Sequence, residues 1–393
     1  MAVSDHAELN LATFSVSAER GFLPPEDPLD CLPRQQFGAW EDLSVELPKL
    51  LAAGVVRRTL DRLPMLDPTP LFDHSPSLER AMLLLSYFGH AYVWGEATFA
   101  DVIPEPVAVP WHALAHRLGR PPVLSYASYA LRNWRRLDQA SPIALGNLAL
   151  LQNFLGGVDE EWFILVHVEI EAKAGRGMQS LMDAQTAVAQ SDREGAVISL
   201  TRLEEVLESM LASLARMPER CDPYIYYRRV RPYIHGWRDH PALPNGVLYA
   251  GVREYAGQRQ QFRGETGAQS SIIPCLDAGL GIQHPESPLA VYLREMRDYM
   301  PTGHRAFIGA VKRGPSIRSF ASAGDSAVRE AYNKCLLALE RFRGLHMHYA
   351  STYIQQQHER GSANPTDVGT GGTPFMGYLE EHRQTTLRHL LSG

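Results

Sequence analysis

The chain has 393 residues, with 38 Lys+Arg against 44 Asp+Glu and a formal charge of −6. Its 45% hydrophobic and 21% charged residues are a globular composition rather than a disordered one. The mildly acidic balance removes any electrostatic reason to expect nucleic acid or an anionic membrane as partner. No apolar run approaches the ~18 residues of a membrane span. Residues 1–8 lack the basic and then apolar regions of a secretory leader. The four cysteines, Cys31, Cys221, Cys275 and Cys335, are far apart in sequence. They form neither a disulfide framework nor a zinc motif, and they predict a cytoplasmic protein.

Prolines are dense early, at Pro24, Pro25, Pro28 and Pro33, then at Pro104, Pro106, Pro110, Pro121 and Pro122. Such spacing predicts a smaller, mixed N-terminal domain over 1–120, with short helices at Leu78–Phe88 and Pro110–Leu118. A connecting segment over 121–155 leads into a large all-helical domain over 156–393. The fold class is therefore mainly α. Three long helices stand out in the second half. The first runs from about Glu160 to Gly177, with Phe163, Val166, Ile170 and Ala174 on its apolar stripe and Glu169 and Lys173 paired on its outer face. The second runs from Ser191, capped by a Ser191/Glu194 capping box, to about Met217, and Leu200, Leu203, Leu207, Met210 and Leu214 repeat along one face.

The third, from Asp325 to about His358, has the stripe Val328, Tyr332, Cys335, Leu339, Phe342, Tyr349 and Tyr353. At about 100° per residue, His346 lies within ~60° of every member of that stripe. His348 points to nearly the opposite side. His167 occupies the same kind of position in the first helix. Each histidine is either a satisfied core residue or, in a flat apolar slot, a partner of haem iron. Haem needs one neutral nitrogen ligand and a cation or two for its propionates, and Arg343 lies one turn before His346. Helical spacing leaves both readings open. Elsewhere, His112 and His116 lack the glutamate of a zinc-binding HExxH helix and read as structural. Gly369-Thr370-Gly371-Gly372-Thr373 lacks the lysine of a phosphate loop and reads as a mobile loop. Arg228, Arg229 and Arg231 alternate with tyrosines, a pattern that suits either a solvated basic face or a bidentate clamp for a carboxylate.

Several motifs in order resemble the indoleamine 2,3-dioxygenase family. They are Ala91-Tyr92-Val93-Trp94-Gly95, Pro121 to Trp134, Phe163 to Glu171, Ile234-His235-Gly236-Trp237, Ala268-Gln269-Ser270-Ser271, Met296 to Pro301, and Gly369 to Thr373. The resemblance implies a monomeric enzyme holding haem b in the large helical domain. It would use O2 as co-substrate to open the indole ring of L-tryptophan to N-formylkynurenine, in the kynurenine pathway of tryptophan catabolism. It implies His346 as the iron ligand, Arg343 at the propionates, and Asp277 supporting Arg343. Arg231 would hold the substrate carboxylate, with Thr373 of the closing loop near the substrate's polar end. Tyr126, Phe163 and Ile234 would line the indole pocket, with Tyr129 beside them and the backbone of Thr266 and Gly267 over the haem edge. His167 replaces the distal serine of mammalian members and resembles the histidine of tryptophan 2,3-dioxygenase, which accepts the indole N–H. Two other readings keep the haem: action on another indole derivative in secondary metabolism, or a non-catalytic haem or gas-binding protein. Arg231 and the Thr373 loop oppose the latter, since a gas sensor needs no carboxylate clamp.

Overall fold

The computed structural model describes residues 10–359, 369–370 and 375–392. Its regular structure is nearly all helical, in agreement with the expected class. The strands among the described residues are two residues long. Val102–Ile103 pairs in parallel with Leu248–Tyr249, and Arg135–Arg136 pairs antiparallel with Leu148–Ala149.

In the first half, helices α1 (Arg34–Ala52), α2 (Ser75–Trp94) and α3 (Glu105–Leu118) pack together. The expected short helix at Leu78–Phe88 is thus corrected to a 20-residue α2. Seventeen of its residues are buried, so it has no polar face whose period would mark its ends. Its charges are tolerated inside because they are paired. Arg80 meets Glu41 at 2.7 and 3.1 Å, and Glu79 accepts from Arg120 at 3.2 Å. Gly89 lets α2 approach α3, since a Cβ there would overlap the Trp111 ring. Helix α3 also starts earlier than expected, at Glu105, because Pro106 in its first turn is preset for helix.

The expected helix at Glu160–Gly177 is the first part of α4 (Val158–Ala189), 32 residues and about 48 Å long. Asp159, Glu160 and Glu161 in its first turn complement the helix dipole. Glycine does not end it at 177: Gly177 lies against Val206, where a Cβ would come within 3.0 Å of its side chain, and at Gly175 the N-terminal segment crosses α4 so closely that a Cβ would collide with the Gly21 amide. Ile164, Leu165 and Val168 face the apolar core shared with α1, α2 and α3. Trp162, Val166, Ile170 and Ala174 face a second core built with the later helices. Helix α4 is therefore the wall between two cores. The Glu169–Lys173 pair forms at 3.6 Å, but Glu169 is buried rather than outward, accepting from Ser213 Oγ and the Leu145 amide.

Helix α5 (Arg193–Ala215) buries the whole stripe Leu200, Leu203, Leu207, Met210 and Leu214. Its cap differs from the expected capping box. Ser191 adopts a left-handed backbone (φ 57°), and Asp192 accepts from the Gly195 amide at 3.0 Å instead. Asp192→Ala is expected to cost about 1 kcal/mol, the usual worth of such a cap, read as a lower midpoint in chemical denaturation; Ser191→Ala should change little. Helices α6 (Ile272–Leu280) and α7 (Thr302–Arg313) precede α8 (Ser326–Ala350), which is capped as expected by Asp325 through the Val328 amide at 3.1 Å. Beyond α8 the chain continues through a π turn at Ser351–Gln355. Helix α9 (Phe375–Arg388) packs back against α8.

Candidate functional site

Helix α4 carries His167 and α8 carries His346, and the two imidazoles lie within electrostatic reach of each other. The His167 Nδ1 lies 2.7 Å from the Phe163 carbonyl one turn earlier. A carbonyl can only accept, so Nδ1 carries the proton and Nε2 keeps its lone pair. Burial lowers the His167 pKa, with the Phe163 bond opposing, so the ring is neutral at pH 7. His346 is open to a solvent probe, yet desolvation by surrounding protein and the nearby His167 hold its pKa down to about 4. That combination describes an imidazole on an inward-facing surface. His348 is exposed, as expected.

Aromatic rings surround His167. Phe163 lies 4.8 Å away and Tyr126 6.0 Å away, edge-on. Phe163 in turn packs on Tyr226 at 4.6 Å and on Tyr129 at 6.4 Å. Tyr129 is buried, and its hydroxyl has no partner among the described residues. Single π turns at Ala127–Leu131 and Tyr226–Val230 rotate these tyrosines, and the latter turn delivers Arg231. Arg231 is fully buried, with its guanidinium 5.4 Å from the Tyr227 ring centroid. Burial lowers its pKa, and Tyr226 and Tyr227 oppose that shift.

Ile234 is buried and accepts the Glu265 amide at 3.1 Å, which brings the Thr266–Gly267 backbone to the same wall. The contact is close because two glycines meet there: a Cβ on Gly264 would overlap the Gly236 amide. Gly267 is exposed, with nothing within 4 Å of the position a Cβ would take, so it presents bare backbone. Of the glycine-rich loop, Thr370 donates to the Glu265 carbonyl and accepts from the Gly236 amide at 3.4 Å. Thr373 lies outside the described residues.

The expected Arg343–Asp277 pair is formed, Nη2 reaching the two carboxylate oxygens at 2.6 and 2.8 Å. Burial would raise the Asp277 pKa, but the Arg343 charge and His284, at 2.8 Å, hold it down to about 2. Arg343 also donates to the His382 carbonyl at 3.2 Å and to Thr386, while its buried Nε meets no acceptor among the described residues. The stacked His284 and His382 rings, 4.3 Å apart, were not foreseen because α9 brings them together from distant sequence.

Two buried acids lie beside the site, of which only Glu171 is turned inward by helical spacing, about 40° from His167. Glu171, one turn past His167, accepts from Ser270 at 2.7 Å, and burial pushes its pKa to about 7 against that bond and one from Tyr126. Glu265 is buried with its pKa pushed up to about 8 by desolvation. Glu265 lies outside any helix or strand, so no period marks it, and only the neighbouring glycines signal a closely packed segment.

These residues suit a haem. His346 is a neutral imidazole in protein surroundings with no hydrogen bond among the causes of its shift. Facing it are a second neutral imidazole, aromatic walls and bare backbone at Gly267, with an arginine one turn before the ligand candidate.

Comparison with known proteins agrees. The family profile described as Indoleamine 2,3-dioxygenase matches residues 10–389. Indoleamine 2,3-dioxygenase 2 of Homo sapiens is 33% identical, over 98% of this chain and 96% of its own. Indoleamine 2,3-dioxygenase 1 of Rattus norvegicus is 34% identical over 97% and 96%, and Indoleamine 2,3-dioxygenase acdA of Aspergillus candidus 32% over 98% of both. The chain belongs to the indoleamine 2,3-dioxygenase family and is an oxidoreductase, a haem dioxygenase.

Proposed function

We propose that this protein uses haem b and O2 to cleave the C2–C3 bond of the indole ring of L-tryptophan, giving N-formylkynurenine. The observation that carries the reading is a buried arginine and an acceptor imidazole at one aromatic pocket. Tyr226 joins them, with its ring on Phe163 beside His167 and its hydroxyl within reach of the Arg231 charge.

His346 would hold the iron, and Arg343, steadied by Asp277, would meet a propionate. Haem, when bound, supplies the iron at which O2 is activated. The chain's own groups then orient the indole. Arg231 pairs with the substrate carboxylate in a fork that fixes both position and direction. His167 accepts the indole N–H at Nε2, the nitrogen left free by the Phe163 bond. Tyr126, Tyr129, Phe163 and Ile234 hold the ring flat and keep water out, and Thr266 and Gly267 supply backbone beside it. Thr373 would close on the polar end of the substrate, from a loop whose start is tied to Glu265 and Gly236 through Thr370. Much of the acceleration from these groups is orientation. The protein would work as a cytoplasmic monomer in tryptophan catabolism by the kynurenine pathway. No described helix is long and apolar enough to cross a membrane.

A second reading, action on a substituted indole, is favoured by Tyr129. Its buried hydroxyl has no partner among the described residues and would suit a polar ring substituent. Both readings are tested by mixing haem-loaded, reduced protein with labelled O2 and L-tryptophan, D-tryptophan or hydroxyindoles, then reading products by mass spectrometry. N-formylkynurenine carrying two labelled oxygens is the expected result. A hydroxylated product without the L-tryptophan product would favour the second reading. No oxygenated product from any indole would overturn both.

A further inference from the structure

The pocket wall contains an acid that no described residue neutralises. The other buried acids among the described residues have donors: Glu41 and Glu79 take arginines, Glu160 takes three backbone amides, and Glu169, Glu171 and Asp277 take side-chain donors. Glu265, with 4% of its surface exposed, makes no ion pair among the described residues, and burial is the single cause of its raised pKa. Leaving a buried carboxyl without a partner is costly, so such a group is either kept protonated or meets a cation that arrives from outside.

Its place in the fold is tightly determined. The Glu265 amide donates to the Ile234 carbonyl at 3.1 Å, and its own carbonyl accepts from Thr370. The preceding Gly264 carbonyl accepts from Gln269 Nε2 at 2.9 Å, and the Gln269 side-chain oxygen receives the Tyr126 amide at 2.9 Å. Main chain thus ties Glu265 to the pocket at Ile234 and to the start of the glycine-rich loop, and the Gln269 side chain bridges its neighbour Gly264 to Tyr126. Its carboxyl acts electrostatically on Tyr126, Tyr129 and Tyr226 of the pocket and on Tyr87 of α2 behind them. Tyr226 also feels the opposite charge of Arg231. A carboxyl that can ionise and a guanidinium acting on one ring complement a zwitterion.

We propose that Glu265 is a specificity-determining residue that pairs with the ammonium group of the substrate, so that the site selects amine-bearing indoles over their des-amino counterparts. The inference rests on the reading of an indole held through its carboxylate by Arg231. It has a consequence for protons. The free carboxyl, with its pKa at about 8, is mostly protonated at pH 7. Pairing with an ammonium ionises it and releases the proton, so affinity climbs as pH rises from 6 to 8 and is lost as pH falls. The tyrosines facing it are raised above 10 and do not titrate in that range. Glu171, about 7, does titrate beside Tyr126, while burial lowers the pKa of His167, so the variant below is needed to isolate Glu265.

The test is equilibrium binding to the haem-loaded protein without O2, followed by the visible spectrum, with L-tryptophan and indole-3-propionate. At pH 8 the wild type is expected to prefer L-tryptophan by roughly 10–100-fold, the worth of one buried charge pair, and Glu265→Gln to reduce that preference to about threefold. Wild-type affinity for L-tryptophan should rise roughly tenfold between pH 6 and 8, with no such slope for indole-3-propionate or for the variant. Calorimetry of the wild type in buffers of different ionisation enthalpy needs no variant and should show close to one proton released per L-tryptophan at pH 7. A preference and pH slope unchanged in Glu265→Gln, or no proton release, would overturn the proposal and leave the indole reading standing. Binding of neither ligand would overturn both.

Discussion

Replacing His346 with alanine is expected to remove the haem absorbance band and the activity together while leaving the fold intact. The residue continues the α8 stripe of Val328, Tyr332, Cys335 and Leu339, all fully buried, but is itself exposed. Its shift has no hydrogen-bond contribution, so truncation strands no polar group in the core. The expected stability change is therefore within about 1 kcal/mol, seen as an unchanged helical signal and a similar denaturation midpoint. Loss of the iron ligand should lower turnover at least ~1,000-fold, and added imidazole should restore part of both the spectrum and the rate. His348→Ala, two residues on and exposed, is the matched control and should change neither. A normal haem band with normal turnover in His346→Ala would place the iron ligand elsewhere.

The inward-facing position of that histidine was legible because an apolar stripe at helical spacing leaves few residues to choose from, whereas its role at the iron came from the family resemblance. The same arithmetic found His167, the α5 stripe and the Asp325 cap. It failed where burial is decided by partners distant in sequence. Helix α2 was read too short because Glu79 and Arg80 look like surface residues until Arg120 and Glu41 are brought to them. Glu169 was placed outward for the same reason, although Ser213 on α5 and the Leu145 amide draw it in. Ser191 and Asp192 are both good caps, and the left-handed backbone at Ser191 gave the role to Asp192. The π turns at Ala127–Leu131 and Tyr226–Val230 add a residue to a helical turn, which shifts every later side chain by about 100° and defeats a wheel. The tyrosines and Arg231 at the pocket follow from those turns, and the family resemblance rather than spacing pointed to them.

Arg231→Ala should lower kcat/KM for L-tryptophan by roughly 100- to 1,000-fold, the usual consequence of truncating one partner of a buried, hydrogen-bonded charge pair. The proposed contact exists in both the bound and the reacting substrate, so the loss should fall mainly on KM. Tryptamine, which lacks the carboxylate, should lose less than about threefold, and that contrast separates a clamp from a general weakening of the pocket. Lysine is not expected to rescue, because a point charge cannot reproduce the planar fork or the stacking over Tyr227. An independent readout lies next door. Burial and then the Arg231 charge hold the pKa of His240 down to about 4, and the same charge adds to the depression of His235 by burial. Removing the guanidinium should raise the His240 pKa measurably by nuclear magnetic resonance, because one of its two depressing causes is gone. If tryptamine turnover falls as far as tryptophan turnover while His240 shifts upward, Arg231 acts on the electrostatics of the whole site, and the carboxylate must be held by another group.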